Sequence, residues 1–329
     1  MHRTMTEEES CWLENTHLRV QVLPTHGGGL GCFEWLGRDM ALPFPLLRPY
    51  TPAPADGSTV FDPNRLACYA LVPWSNRISC GGFDFAGTSV ALSPNCPGEP
   101  YPIHGSGWRR MWTVQSHSTD AVQLVLDERA PDAYSYHAML TYTLREDALE
   151  IELCVTNTGD ATLPFGLGLH PFIALHDGVT LHAPAARVWQ NDGRSPLPLQ
   201  NVPVPSDWDF RQPQALPDEV LNHCFLPWSG KAMVYWPRQG MRLHVSADVD
   251  AFLLYTPDDA DFFCFEPVDH PIDAVHLPGG PLAHGMTALA PGEHLCRHFV
   301  FRVEDDGAAL AMPSPAATFG TGDPREATP

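Results

Sequence analysis

Thirty-nine acidic residues against 19 basic ones give this 329-residue chain a formal net charge of −20, which repels nucleic acid and anionic membrane surfaces and favours neutral small molecules as partners. With 44% hydrophobic and 10% aromatic residues it can bury a large core, so disorder is excluded, and its length suits one large all-β unit as well as two average domains. Nowhere do 18 apolar residues run together, which argues against a membrane-spanning helix.

The chain opens with MHRTMTEEESCW, three successive glutamates and no apolar run, so it does not read as a signal peptide. Nine cysteines occur without a CxxC pair, an odd number that cannot be fully paired within one chain. Reduced thiols in a cytoplasmic protein are the expectation. Thirty-four prolines, scattered throughout, forbid long helices. Between them run short alternating segments in chain order: RVQVL (19–23), WTVQ (112–115), AVQLVL (121–126), YHAMLTYTL (136–144), LEIELCV (149–155), MVYW (233–236), MRLHVSA (241–247), AFLLYT (251–256) and HFVFRV (298–303). LEIELCV sets Leu149, Ile151, Leu153 and Val155 on one face and Glu150 and Glu152 on the other. Many such strands with turn residues between them predict stacked antiparallel sheets: an all-β fold, a large antiparallel β-sandwich with few short helices. RPYTPAPADGST, within 47–59, reads as a surface loop. Residues 1–303 read as one sandwich unit and 304–329, rich in Ala, Pro, Gly and Thr, as a flexible tail. Lys231 is the single lysine and sits in a turn, which disfavours Schiff-base chemistry.

Four segments put an ionisable residue beside glycine or proline at a strand end: VPWSNRIS (72–79), PIHGSGW (102–108), GLGLHPF (166–172) and LAPGEHL (289–295). In the third, Phe165, Leu167 and Leu169 read as core, while Gly166, Gly168 and His170 share the other face. The two glycines predict a bare trough where a ligand or another stretch of backbone comes close, and Pro171 predicts the end of the strand. Taken singly, each has an ordinary structural reading: a hydrogen-bonded buried histidine for His104 or His170, a surface arginine for Arg77, a water-facing turn carboxylate for Glu293.

Together these segments resemble the aldose 1-epimerase (galactose mutarotase) family. NRI (76–78), HG (104–105), GLHPF ending at 172 and LAPGE (289–293) occur in the family's order, as do DFR (209–211) leading into LNHCF, and FCFEP (263–267) followed by Asp273 and Ala274. The likeness covers about residues 18–303 and implies a β-sandwich with the sugar in an open groove. It implies Glu293 as general base and His170 as general acid, His104 assisting at the ring oxygen, and Arg77 holding sugar hydroxyls beside Asn76. Asn222 stands where many members have a hydroxyl-gripping aspartate, so sugar preference is expected to differ. Trp74 and Trp108 are candidates for stacking on the sugar or for the core. Glu266 either orients His104 or His170, or merely ends a strand.

The reaction, interconverting the anomers of a free aldose, needs a proton taken from the C1 hydroxyl and one given to the ring oxygen, with the roles exchanged on reclosure. A carboxylate and an imidazolium on opposite sides of the ring, both ionised near neutral pH, would supply these. No metal, nucleotide or redox cofactor is implied, and the protein is expected to act as a monomer or homodimer. Competing readings are a sugar-sensing protein without catalysis, a hexose-6-phosphate mutarotase with Arg109 and Arg110 as phosphate clamp, and a glycosidase, which normally needs two carboxylates.

Overall fold

The computed structural model describes residues 10–37, 42–52, 61–130 and 133–306. Two antiparallel sheets dominate it, as the alternating segments require. The larger, of 11 strands, runs Cys11–Glu14, Leu18–Leu23, Gly29–Trp35, Cys68–Leu71, Gly168–Ala174, Phe262–Val268, Ala251–Tyr255, Asn222–Trp228, Ala185–Gln190 and Gln200–Pro203, with Phe44–Pro45 attached to Gly29–Trp35. The second, of nine strands, runs Gln214–Ala215, Thr180–His182, Lys231–Trp236, Met241–Ala247, His294–Asp305, Ala148–Asn157, Tyr136–Leu144, Ala121–Glu128 and Thr113–His117. Among the described residues helical structure is confined to short 3-10 turns such as Gly107–Arg109.

The two sheets share one core. Leu140, Tyr142, Ile151, Leu153, Phe299 and Phe301 from the nine-stranded sheet pack in one cluster with Leu169, Ile173, Phe252, Phe263 and Phe265 from the larger. Burial of the apolar faces follows the pattern of the sequence: alternate residues of Tyr136–Leu144 are buried. The central strands of the larger sheet differ, because they are covered on both faces; every residue of Gly168–Ala174 is buried, and so are all but the first of Phe262–Val268. Their second face carries a smaller apolar cluster around Tyr69, Trp108, Phe172 and Cys264, and the candidate site lies there.

Three expectations change and one open alternative is decided. The last strand extends through Glu304 and Asp305, which pair with Arg242 and Met241; the rest of the expected tail, from 307, lies outside the described residues, as does 53–60 of the expected loop. Pro171 does not end its strand, which continues to Ala174 with Phe172 donating its N–H to Ala67 O at 2.9 Å. The trough beside Gly166 and Gly168 is filled by the protein itself: a Cβ on Gly166 would lie 2.2 Å from His270 Cδ2, and one on Gly168 2.8 Å from Pro267 O. The glycines admit a neighbouring segment, not a ligand. Finally, Cys154 and Cys296 form a disulfide while the other seven cysteines are free. Their strands pair in a register that sets them directly opposite, with Cα atoms 4.1 Å apart, the spacing of a non-hydrogen-bonded antiparallel pair. This removes the basis for expecting all thiols reduced.

Two outcomes follow. Thiol titration of the denatured, unreduced protein should count seven groups, rising to nine after reduction; nine at the outset would refute the pairing. Gly166→Ala should destabilise the fold by about 1–3 kcal/mol through overpacking against the buried His270 ring, read as a lower denaturant midpoint; an unchanged midpoint would show that this contact relaxes freely.

Candidate active site

Two neighbouring strands create the central feature. The register that pairs Gly168 with Val268 and Phe172 with Cys264 sets His170 opposite Glu266. Side chains two residues apart share a face, so His170 and Phe172 on one strand and Glu266 and Cys264 on the other point to the same side. Pro171 and Pro267 lie between the paired ends and have no N–H to donate. His170 Nε2 and Glu266 Oε1 are 3.3 Å apart, both side chains are buried, and Glu266 Oε2 has no hydrogen-bond partner. Tyr69, opposite His170 on the next strand, stacks on the imidazole at 4.6 Å and 26°.

Above this pair lies a cavity of about 360 Å³, within the size range of small-molecule sites (roughly 300–1,000 Å³). His104, Trp108, His170, Phe172, Asn222 and Glu266 line it, with Asn76, Arg77, Glu99 and Tyr255 on its walls. Two segments far apart in sequence cross to make one wall. Arg77 bridges to Ile103 and Val72 to Gly105. Asn76 and His104 both take left-handed backbone conformations, with φ of 54° and 58°, where asparagine and histidine are more readily accommodated than most side chains. That geometry lets the Asn76 N–H donate to His104 Nδ1 at 3.1 Å while the His104 N–H donates to Asn76 O at 2.9 Å. With Nδ1 accepting, the neutral ring carries its proton on Nε2. Arg77 extends along the wall, donating to Glu99 Oε2 at 2.6 Å and to Asn76 Oδ1 at 3.2 Å.

Burial sets the electrostatics. It drives His170 down to about 3 and His104 well below the ordinary histidine value, with their mutual repulsion and Arg77 adding to the effect on His104. The same desolvation raises Glu266 well above the usual carboxylate range, opposed by Arg77. Desolvation thus disfavours both charged forms, the imidazolium of His170 as well as the carboxylate of Glu266, against the expectation of a charged His170.

Glu293, the base expected from sequence, is not brought to His170. It is exposed, in the turn between Thr287–Leu289 and His294–Asp305, where its Oε2 accepts the Ala290 N–H at 2.8 Å. Pro291 and Gly292, with φ of 83° at the glycine, fold the chain so that the side chain reaches back to cap its own turn. His104, His170, Arg77, Asn76, Asn222, Trp108 and Glu266 all line the one cavity. Trp74 is buried against Tyr134 at 5.3 Å in the main core. The DFR segment lies elsewhere, with Asp209 and Arg211 ion-paired beside a separate depression at Pro184, Pro203 and Trp228. Of the two arginines of the alternative phosphate clamp, Arg110 is tied to Glu128 at 2.5 and 2.8 Å and Arg109 lies over the Trp108 ring; neither lines the cavity.

Sequence reasoning missed Glu99, Tyr255 and Cys264. A signal existed for Glu266: it is the only charged residue in the apolar run FFCFEPV. His170, Cys264 and Glu266 also place three donor atoms within 4.8 Å of one another, a group able to hold a metal, though two of these side chains form the proton-holding pair.

A β-sandwich whose covered sheet presents a buried carboxyl–imidazole pair to a polar, aromatic-walled cavity defines a small-molecule site equipped for proton transfer. The chain matches the aldose 1-epimerase family over residues 10–302 and belongs to it. It is 33% identical over 283 residues to the uncharacterised protein YphB of Escherichia coli K12, covering 83% of this chain and 93% of that one. A crystal structure of an E. coli K12 protein provisionally named an aldose 1-epimerase superposes with a TM-score of 0.79 at 32% identity, covering 90% of this chain and 98% of that one. The GalM/aldose epimerase homologue of C. elegans, 18% identical, shares the fold with a TM-score of 0.74, covering 90% of this chain and 98% of that one. Among the described residues no helix is long and apolar enough to cross a membrane.

One further buried histidine makes the acid response of the fold measurable. His270 accepts the Ser75 N–H at 3.1 Å, and burial lowers it from 6.5 to about 4. Because the unfolded chain binds this proton at higher pH than the folded one, its contribution to stability is complete above about 6.5 and is lost as the pH falls towards 4. Asp269, raised to about 6 by burial, acts in the opposite sense. The destabilisation by His270→Gln should thus shrink by on the order of 3 kcal/mol between pH 7 and pH 4 in chemical denaturation; a difference independent of pH would show that His270 titrates normally.

Proposed function

We propose that this protein is an aldose 1-epimerase that interconverts the α and β anomers of a free, uncharged hexose such as glucose or galactose. The observation that carries the reading is the His170–Glu266 pair, 3.3 Å apart and buried on adjacent strands beneath the cavity. O1 and the ring oxygen of a pyranose are both bonded to C1, so an acid and a base side by side match them better than groups on opposite faces of the ring. Hydroxyls of the bound sugar replace lost hydration, and this makes the ionised tautomer accessible, with the proton on His170. Glu266 then takes the C1 hydroxyl proton as His170 protonates the ring oxygen, and the C1–O5 bond breaks. After rotation about C1–C2 the two residues exchange roles and the ring closes on its other face. His104, with Nε2–H as donor, and Arg77 are suited to hold oxygens near the reacting carbon, and Trp108 offers an apolar wall.

Polarimetry on freshly dissolved α-D-glucose and α-D-galactose should show clear acceleration by the wild type. Glu266→Gln should reduce it by about 10²- to 10⁴-fold, the usual worth of a positioned acid–base group, whereas Glu293→Gln should retain the wild-type rate. Loss of activity in the Glu293 variant with retention in the Glu266 variant would overturn the assignment. Sugar binding by the wild type without acceleration would mark a sensor.

A further inference from the structure

Two carboxylates line the cavity, Glu266 and Glu99. Glu266 belongs to the proton pair. On the sheet, the position that projects into the cavity opposite Tyr255 is an amide, Asn222, which accepts hydrogen bonds only through its carbonyl oxygen and without charge assistance. Glu99 comes from a different direction, the loop 95–100, and its placement is built rather than incidental. Asn95 fastens that loop to the HG segment with three hydrogen bonds: its Nδ2 donates to Ile103 O at 2.8 Å and to Gly105 O at 2.6 Å, and its Oδ1 accepts the Ile103 N–H at 2.8 Å. Arg77 fixes one oxygen of Glu99, Oε2, at 2.6 Å, and the other, Oε1, is buried without a partner. Arg77 Nε is likewise buried without one. A carboxylate held by one oxygen, with the second unsatisfied at the wall of a sugar-sized cavity, has the chemistry to accept hydroxyl protons.

Charge gives the second strand of the argument. Among the described residues Arg77 is the one arginine or lysine lining the cavity, and Glu99 is its ion-pair partner. Arg48 lies over the Phe172 and Phe262 rings and donates to Leu66 O at 2.9 Å; Arg109 lies over the Trp108 ring. Neither lines the cavity. A phosphate or uronate group entering it meets Glu99 and Glu266 and no unpaired cation.

We propose that Glu99 is a substrate-binding residue that grips sugar hydroxyls from the loop side, in place of a carboxylate at Asn222, and that with Arg77 it restricts this site to uncharged aldoses. The proposal rests on the aldose reading, but its test does not require turnover. Calorimetry with 1,5-anhydro-D-galactitol, which has no C1 hydroxyl and cannot ring-open, should show binding to the wild type weakened about tenfold or more in Glu99→Gln, the worth of a charge-assisted hydrogen bond. In polarimetry KM for galactose should rise in Glu99→Gln by more than kcat falls. Glucose 6-phosphate, rejected by the wild type, should become a substrate once Arg77 is released. Glu99→Asp, with its charge withdrawn by one methylene, should lose affinity for the anhydro sugar yet still reject the phosphate, and it separates grip from charge. Analogue affinity unchanged in Glu99→Gln, no analogue binding to the wild type, or wild-type turnover of glucose 6-phosphate rivalling that of glucose would each overturn the proposal. If the wild type binds the analogue but accelerates no mutarotation, the epimerase reading fails while the role of Glu99 in binding is still decided by calorimetry.

Discussion

Burying a carboxyl and an imidazole 3.3 Å apart is unfavourable unless the surroundings hold them, because each loses its hydration. Here the sheet does the holding. Register fixes the two Cα positions opposite one another, Tyr69 clamps the imidazole from the next strand, and the main core packs against the reverse face through Leu169 and Phe265. The resulting desolvation pushes the two groups in opposite directions, Glu266 up and His170 down. Both shifts favour the neutral forms of the two groups.

The wall opposite the sheet is made differently. It has no regular ladder; it depends on isolated bridges between the segments around residues 72–77 and 103–105, on the reciprocal bonds between Asn76 and His104, and on Asn95. Such a wall, held by few bonds, stands apart from the hydrogen-bonded ladder that fixes His170 and Glu266. The Arg77–Glu99 ion pair sits on this side.

Particular residues show how far the sequence could be read. His104, His170 and Arg77 were recognisable because they stand in short segments with glycine or proline neighbours, Asn222 only through the likeness of LNHCF to the family, and all of them reach one cavity. Glu293 misled because Pro-Gly-Glu is equally the signature of a self-capped turn, and no local pattern distinguishes a carboxylate that faces a groove from one that faces water. Glu266 was visible as a charge inside an apolar strand, but its partner depends on pairing between strands about 95 residues apart in the chain. The Gly166 and Gly168 positions announced a close approach correctly; that the visitor is His270 and Pro267 is a tertiary fact.

By itself the sequence determined the all-β architecture, since residue alternation and proline density leave no room for long helices, and it marked most of the polar side chains that line the cavity. Strand register, decided only on folding, set Glu266 rather than Glu293 beside His170, because register alone sets which distant residue stands opposite it. It also joined Cys154 to Cys296 across 142 residues of chain. Burial, equally a property of the assembled sheets, decided the protonation of the site, since the hydration that favours charged forms is withdrawn only when both faces are covered.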